Sequence, residues 1–223
     1  MKKRIHISTA KFGGEELKKS IPEQINDNYE IELISYHDNN TKSRSNSLHP
    51  RTKGKIPKML EWLDFDADYY IWMDAPMNFI TNDIGNLVEK SIEDFDICLF
   101  KHPLNSSIKK ELYSVENEIG NGNQYHISRY EGEYMQEQVN SYLEDPSFID
   151  DNLFACGFFI YSRKLIENRN YNLMTDWFFH NCYWSIQDQL SLPYLLHKHN
   201  TKWKTFQIGD VYNNQFTKYQ WMP

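Results

Sequence analysis

Hydrophobic and polar residues alternate along the chain with a period that changes repeatedly between that of a strand and that of a helix. Strand patterns, bounded by small or polar residues typical of turns, lie at residues 4–9, 29–36, 69–73, 95–100, 154–162 and 202–208. Helical patterns lie between them, at residues 15–25, 56–63, 82–92, 107–144, 172–184 and 185–199, and the first of these predicts a short helix that stops near Pro22. The long fourth helical segment is interrupted at the sequence GNGN.

Strands that alternate with helices predict one α/β domain over residues 1–223, with a mainly parallel sheet flanked by helices. In such sheets, ligands bind outside the carboxyl ends of the strands. Four predicted strands end in polar or charged sequences, STAKFGG, SYHDNN, MDAP and KHP, so we expect a binding site at this edge. The polar segment at residues 37–54 is too long for an ordinary connection and is either a functional loop or partly disordered.

The composition of the 223-residue chain indicates which kinds of partner the protein can bind and which cellular compartment suits it. A net charge of −7 argues against nucleic-acid binding, in which basic surfaces supply most of the affinity. No apolar run approaches the roughly 20 residues of a membrane span, and no signal-peptide core follows the initial MKKR. The spacing of Cys98, Cys156 and Cys182 indicates neither a disulfide framework nor a zinc site, which favours a reduced, cytoplasmic setting.

Asp74 is the first candidate for chemistry, because it ends the apolar strand YYIWM and a buried carboxylate needs a partner, a proton or a cation. An aspartate in this position can simply cap the turn after the strand. It can also bind a ribose hydroxyl or a divalent cation that holds a diphosphate. The chain has neither the GxxxxGK[ST] phosphate loop nor the GxGxxG dinucleotide motif.

Asp188 is the second candidate. With Ser185 it fits a variant capping box at the start of a helix, which would place its carboxylate in the first helical turn. A carboxylate placed there could instead act as a general base or bind sugar hydroxyls.

Basic residues just upstream of the strand that ends at Asp74 are candidates for anion binding. Such a run is usually a solvated face, and it can also neutralise a diphosphate. The residues are Arg44, Arg51, Lys53, Lys55 and Lys58. His102, at the end of the next strand, is either a surface residue or a contact to a sugar or phosphate. His197 and His199 are a poor metal pair, because residues two apart do not share a helix face.

Taken together, these stretches resemble the nucleotide-sugar-dependent glycosyltransferases of the GT-A fold, in which a strand ends in a D-x-D motif. YYIWMDAPMNF is similar to that strand and motif. The segments PKMLEWLDFDADYYIWMDA, LFKHP, FACGFFIYSRK and NLMTDWFFHNCYWSIQDQLSLPYLLHK resemble, in the same order, a glycosyltransferase-like family related to plant mucilage-type enzymes. DQLSLPY is the most specific phrase. The likeness covers roughly residues 50–200 and is patchy between 105 and 150.

The resemblance implies transfer of a sugar from a UDP- or GDP-linked donor to a hydroxyl of a glycan or glycoconjugate acceptor, with hexosyl or deoxyhexosyl transfer and inverting or retaining chemistry left open. The implied donor site comprises Ser8, Thr9, Ala10, Tyr36, Asp38, Arg51, Lys53, Lys58, Asp74 and Ala75. Asp188 is the implied catalytic residue, which orients or deprotonates the acceptor. The residues beside the acceptor or sugar are His102, Gly157 and Gln187.

One position departs from the family pattern. In D-x-D enzymes the third residue is the main protein ligand of Mn²⁺ or Mg²⁺, which stabilises the leaving diphosphate. Here that residue is Pro76, which cannot bind a metal. We therefore expect either a cation held weakly by Asp74 or basic residues in its place. Two other functions stay open. Because fold and motif do not fix the reaction, a hydrolase or lipid-modifying enzyme could use the same acids. The lost acid also allows a non-catalytic module that binds a nucleotide or carbohydrate.

Overall fold

The computed structural model describes residues 2–14, 16–41, 48–207 and 209–219. The strands in these residues are β1 (Lys3–Ala10), β2 (Tyr29–Tyr36), β3 (Tyr69–Met73), β4 (Met77–Phe79), β5 (Ile97–Lys101), β6 (Phe154–Ser162), β7 (Trp203–Thr205) and β8 (Thr217–Tyr219). The α-helices are α1 (Pro50–Leu60), α2 (Ile84–Ile92), α3 (Ile108–Gly120), α4 (Gln124–Tyr130), α5 (Met135–Leu143), α6 (Leu173–Tyr183) and α7 (Asp188–Lys198). No helix in the described ranges is long and apolar enough to cross a membrane.

Six strands form one mixed sheet in the order β2-β1-β3-β6-β5-β7. The pairs β1–β2, β1–β3 and β5–β7 are parallel, whereas β6 is antiparallel to both of its neighbours. The first residue of β6, Phe154, pairs with Lys101 at the end of β5. The chain between them therefore leaves and re-enters the sheet at the same edge, which reverses β6. This architecture confirms the predicted α/β class with a mainly parallel sheet.

Helices cover both faces of the sheet, which explains the nearly continuous apolar strands. Tyr70 and Trp72 of β3 pack on one face in a core shared with α1, α6 and α7. Ile71 and Met73 pack on the other face, in a core shared with α2 and the β4–β8 hairpin. A third core joins α3 and α5 to α7, where Leu190 is fully buried.

The predicted helix at residues 15–25 is wrong, because residues 16–25 have no helix. This segment forms hydrogen bonds to distant parts of the chain instead. Lys19 Nζ donates to the carbonyl of Met77 at 2.9 Å, and the side-chain oxygen of Gln24 accepts from the backbone N–H of Ile84, also at 2.9 Å. Pro22 adds a second local obstacle, since a proline inside a helix removes a backbone donor.

Helix starts differ from the expected ones at two places. The predicted helix at residues 56–63 begins earlier, at Pro50, which is well suited to a first helical position. The capping box of Ser185 with Asp188 does not form. Gln187 precedes α7, and the Ser185 hydroxyl donates to Gln138 Oε1 at 2.6 Å. Ser185 therefore fixes α5 against the start of α7 instead of capping the helix.

Candidate active site

A pocket of about 520 Å³ opens at the edge of the sheet where the parallel strands end. Ala10 at the end of β1, Asp74 after β3 and Gly157 in β6 bring three adjacent strands to this pocket. Helices α1 and α4, the start of α7 and the C-terminal residues supply the surrounding wall, which includes Arg51, Gly54, Lys55, Lys58, Tyr125, His126, Arg129, Tyr130, Gln187, Asp188, Val211, Tyr212 and Tyr219. The pocket lies at the edge where the sequence predicts a binding site.

Asp74 is fixed by its backbone and keeps an accessible side chain. Its N–H donates to the Gly157 carbonyl at 2.7 Å, and its carbonyl accepts from Met77 at 2.9 Å, which closes the turn after β3. Trp72 Nε1 donates to Oδ1 at 2.7 Å, so that oxygen does not cap the turn. The side chain is 44% exposed. Its recessed position raises the pKa of Asp74, an effect that the charge of Lys58 opposes.

Asp188 is the first residue of α7, and both its buried carboxylate and its backbone carbonyl accept hydrogen bonds. Lys55 Nζ and Lys58 Nζ each lie 2.6 Å from its Oδ2. Its carbonyl accepts hydrogen bonds from Trp177 Nε1 at 3.0 Å and from Ser191 Oγ at 3.2 Å. Both the side chain and the backbone of Asp188 are therefore fixed by packing across α1, α6 and α7.

The two lysines control the charge of Asp188. Burial disfavours its ionisation, but Lys55 and Lys58 outweigh this effect and lower its pKa to about 2. Burial likewise disfavours the charge of Lys58, yet Asp188 and Asp74 raise its pKa. For Lys55, burial prevails and the pKa falls. Because its Oδ2 is already bound by two ammonium groups, the geometry favours charge compensation by Asp188 over proton transfer.

Two guanidinium groups that line the pocket have no carboxylate partner in the part of the chain that the structure describes. Arg51 lies in the first turn of α1 and Arg129 in the last turn of α4, and neither has an Asp or Glu oxygen of the described residues within 4.0 Å. Burial and then the charge of Arg129 lower the pKa of Arg51. The Arg129 guanidinium carbon lies 3.8 Å from the ring centre of Tyr125. This part of the pocket has an excess of positive charge that an anionic ligand would relieve.

A second polar network joins the end of β5 to the start of α7. Gln187 Nε2 donates to Glu111 Oε1 at 2.9 Å, and Gln187 Oε1 accepts from the Tyr130 hydroxyl at 3.3 Å. His102 Nε2 lies 3.9 Å from Glu111 Oε2. Its Nδ1 accepts from the backbone N–H of Asn105 at 2.9 Å, which places the proton of a neutral ring on Nε2. Burial lowers the pKa of His102, and Glu111 opposes the shift.

The structure brings together most of the residues that the sequence assigns to the site. The donor-side residues that line the pocket are Ala10, Arg51, Lys58, Asp74 and Ala75. All the residues assigned to the acceptor side also line it, namely His102, Gly157, Gln187 and Asp188. Their roles stay predictions, whereas their proximity is a property of the fold.

Five other predicted donor-site residues do not line the pocket; they are Ser8, Thr9, Tyr36, Asp38 and Lys53. Ser8, Thr9 and Tyr36 are buried, and the Tyr36 hydroxyl hydrogen-bonds to Glu61. Asp38 accepts hydrogen bonds from the Gly13 N–H at 2.7 Å and from Lys53 Nζ at 3.1 Å. Arg44 lies outside the described residues.

Helix α4 supplies a wall of the pocket that the sequence reasoning missed. Its sequence, QYHISRY, interleaves basic and aromatic residues, and four of them line the pocket: Tyr125, His126, Arg129 and Tyr130. This alternation of basic and aromatic residues could have indicated a binding wall from the sequence, because such residues can contact both phosphates and rings. It falls in the part of the chain where the family resemblance is patchy.

Two of the three acids that line the pocket are paired with other side chains. The Asp188 carboxylate is paired with two lysines, and the Glu111 carboxylate accepts from Asn105 Nδ2 at 2.7 Å and from Gln187. Asp74 therefore remains as an accessible acid. Among the described residues, no group of three or more His, Cys, Asp and Glu side chains could hold a metal ion.

No protein-family model and no curated protein sequence matches the chain. Similar solved structures include A197 from STIV, with 13% identity, a TM-score of 0.41 and coverage of 91% of this chain and 81% of that chain. Mouse xyloside xylosyltransferase 1 in its apo form has 8% identity, a TM-score of 0.46 and coverage of 91% and 85%. The apo WbbM bifunctional glycosyltransferase has 11% identity, a TM-score of 0.41 and coverage of 81% and 28%.

Proposed function

We propose that this protein is a glycosyltransferase that moves a sugar from a nucleoside-diphosphate donor to a hydroxyl of a glycan or glycoconjugate acceptor. One observation carries the proposal: two guanidinium groups without carboxylate partners in the described chain, Arg51 and Arg129, line the same pocket as the accessible acid Asp74. Guanidinium groups bind phosphate oxygens in pairs of parallel hydrogen bonds. Asp74 adds an acceptor for a hydroxyl of the ribose or of the sugar.

The aromatic residues of the pocket suit the remaining parts of such a donor. Tyr125 and Tyr212 are each more than half exposed and belong to the α4 wall and the C-terminal wall, respectively. Rings in these positions can stack on a base or on the apolar face of a sugar. The Gln187 and His102 network supplies polar groups for sugar hydroxyls next to them.

The sequence supports a specific family relationship and a specific class of donor. The phrase DQLSLPY supports a relationship to the glycosyltransferase-like family of plant mucilage-type enzymes, and a UDP- or GDP-linked hexose or deoxyhexose is the proposed donor. A reducing, cytoplasmic compartment is proposed because Cys98, Cys156 and Cys182 are all free thiols.

Release of the nucleoside diphosphate distinguishes the proposed transferase from the two other functions. The protein is incubated with UDP- and GDP-sugars, with and without a panel of glycan acceptors. A transferase releases the nucleoside diphosphate faster when an acceptor is present and yields an elongated glycan. A hydrolase releases it equally fast without an acceptor, and a binding module retains the intact donor without releasing either product.

Arginine variants test whether the pocket itself binds the donor. Arg51→Gln and Arg129→Gln should each weaken nucleotide binding at least about tenfold, the scale of a lost charge-assisted hydrogen bond. Arg163→Gln is the matched control, because Arg163 follows β6 at the opposite edge of the sheet and pairs with Asp66. Equal effects of all three changes in a calorimetric titration would contradict the proposed site.

A further inference from the structure

The ammonium group of Lys58 lies between the two aspartates of the pocket. Its Nζ is 2.6 Å from Asp188 Oδ2 and 3.9 Å from Asp74 Oδ1. The two carboxylates belong to parts of the chain more than 100 residues apart, and Lys58 connects them from a third element, α1. The protein therefore places an ammonium group of its own between the carboxylates of Asp74 and Asp188.

Aromatic rings and helix packing hold this cation in position. Nζ lies 5.4 Å from the ring centre of Trp72, 5.9 Å from that of Trp177 and 6.0 Å from that of Phe159. Ring faces attract cations electrostatically, most strongly where water is excluded. The Lys58 side chain is 6% exposed. These contacts fix the ammonium group far more closely than a surface lysine would be fixed.

The charges in this cluster already balance. The ammonium groups of Lys55 and Lys58 offset the carboxylates of Asp74 and Asp188, two against two. A divalent ion bound to Asp74 Oδ1 at a usual metal–oxygen distance would come within about 6 Å of Lys58 Nζ, with like charge. Pro76 provides no second ligand to offset that repulsion.

We propose that the Lys58 ammonium takes the place of a divalent cation in this pocket, so that the protein binds the diphosphate of its donor without a metal ion. This inference rests on the proposed function, since it concerns how the same pocket binds the same donor. In this arrangement Arg51 and Arg129 contact the diphosphate directly, and Lys58 offsets the charge of Asp74, which would otherwise repel it.

The first experiment measures the affinity of the unaltered protein for UDP and GDP by calorimetry, in EDTA and in Mn²⁺. We expect at least one nucleotide to bind, with dissociation constants in the two conditions that differ less than about threefold. Binding that strengthens tenfold or more in Mn²⁺, or that disappears in EDTA, would overturn the metal-free inference and leave the proposed function intact. Binding of neither nucleotide in either condition would overturn both.

The second experiment alters the cation itself. Lys58→Met should weaken nucleotide binding in EDTA about tenfold or more, and Mn²⁺ should restore part of the affinity, because an ion can then approach Asp74 without opposing charge. Lys164→Met is the control, since Lys164 is exposed at the opposite edge of the sheet, and it should bind as the unaltered protein does. Equal affinity of both variants in EDTA would contradict the role of Lys58.

A third variant covers the case in which Lys58→Met does not fold. Pro76→Asp restores the acid of the D-x-D pattern without touching the lysine. If Lys58 occupies the cation position, Mn²⁺ alone should still fail to raise the melting temperature of this variant. A clear stabilisation of Pro76→Asp by Mn²⁺ alone would show that the lysine leaves room for a metal and would overturn the inference.

Discussion

At the scale of single residues, Asp188 is a charge-compensating group whose loss should destabilise the fold. Asp188→Asn preserves the shape of the side chain but leaves the buried ammonium groups of Lys55 and Lys58 without their carboxylate. Breaking a buried ion pair by removing one partner costs about 3–5 kcal/mol. We expect a loss of about 3 kcal/mol in the free energy of unfolding, measured in urea at neutral pH.

Asp38→Asn is the matched control for that change. Asp38 also pairs with a lysine, Lys53 at 3.1 Å, but its side chain is 41% exposed. Exposed pairs contribute little to stability, so this change should cost far less than Asp188→Asn. If Asp188→Asn destabilised the protein no more than Asp38→Asn, the compensating role of Asp188 would be wrong, and an acceptor-side role in transfer would regain support.

Gly157 offers a second test at this scale, directed at Asp74. A Cβ atom at Gly157 would lie 3.1 Å from Asp74 Oδ2 and 3.5 Å from Val211. The carboxylate must shift by a few tenths of an ångström, which its hydrogen bond from Trp72 resists. We expect Gly157→Ala to reduce the proposed sugar transfer about tenfold or more while the melting temperature changes by only a few degrees. Unchanged transfer would show that the position of Asp74 is not critical.

At the scale of secondary-structure elements, the sequence predicts an element best where its hydrophobic pattern continues along the whole length of the element. The strand patterns of Tyr29–Tyr36 and Phe154–Ser162 are confirmed to the residue, because alternation or continuous burial defines each of them along its whole length. The helix expected at residues 15–25 fails because its local signal competes with hydrogen bonds to Met77 and Ile84, some 60 residues away. A short window of sequence does not contain those partners.

The packing of α2 gives a prediction at this scale. Replacing a helical glycine by alanine usually stabilises a helix by about 1 kcal/mol. At Gly85, however, a Cβ atom would lie 2.3 Å from the ring of Tyr29, at the start of β2. The Tyr29 hydroxyl is also bound to Glu89, so the ring has little freedom to move. Overpacking should prevail, and Gly85→Ala should lower the free energy of unfolding by about 1–3 kcal/mol.

Gly120→Ala is the control for α2. Gly120 is the last residue of α3, and a Cβ atom there would meet nothing within 4 Å. This variant should therefore be neutral or slightly stabilising in the same urea titration. A Gly85→Ala protein as stable as the Gly120→Ala protein would show that α2 can move away from β2 at little cost.

At the scale of the whole molecule, the candidate site depends on contacts that no local pattern contains. The sequence correctly predicts the edge of the sheet at which the pocket opens, because strand ends are marked by polar residues. It does not predict that Lys58 and Asp188, 130 residues apart, form an ion pair, nor that α4 places Arg129 opposite α1. The chain between β5 and β6 leaves and re-enters the sheet at one edge, which brings Glu111 of α3 and the residues of α4 to the pocket.

Two buried histidines predict how the whole fold responds to acid. His6 is stacked on Phe65 at 4.1 Å, with Glu32 3.7 Å from its Nδ1, and burial lowers its pKa to about 4. His180 is hydrogen-bonded to Tyr142, and burial, with a smaller effect of nearby Lys198, lowers its pKa to about 4. Both rings are therefore neutral in the folded protein at pH values where an unfolded chain would protonate them.

The sign of the pH dependence follows from these directions. An ordinary histidine has a pKa of about 6.5, so below that pH the unfolded chain binds protons that the folded protein does not. Stability from these two groups is fully present above about pH 6.5 and is lost as the pH falls towards about 4. Each histidine should account for about 2 kcal/mol of lost stability between about pH 6.5 and about pH 4.5.

Unfolding in urea at a series of pH values tests this expectation on the intact chain. His6→Phe keeps an aromatic ring against Phe65, and His180→Gln keeps a polar partner for Tyr142, while each change removes one titrating group. Over that pH interval, the stability loss of each single variant should be about 2 kcal/mol smaller than that of the unaltered protein. The loss of the double variant should be about 4 kcal/mol smaller, since the two sites lie in separate parts of the fold and their effects add. Parallel pH profiles for all four proteins would show that other groups control the acid sensitivity.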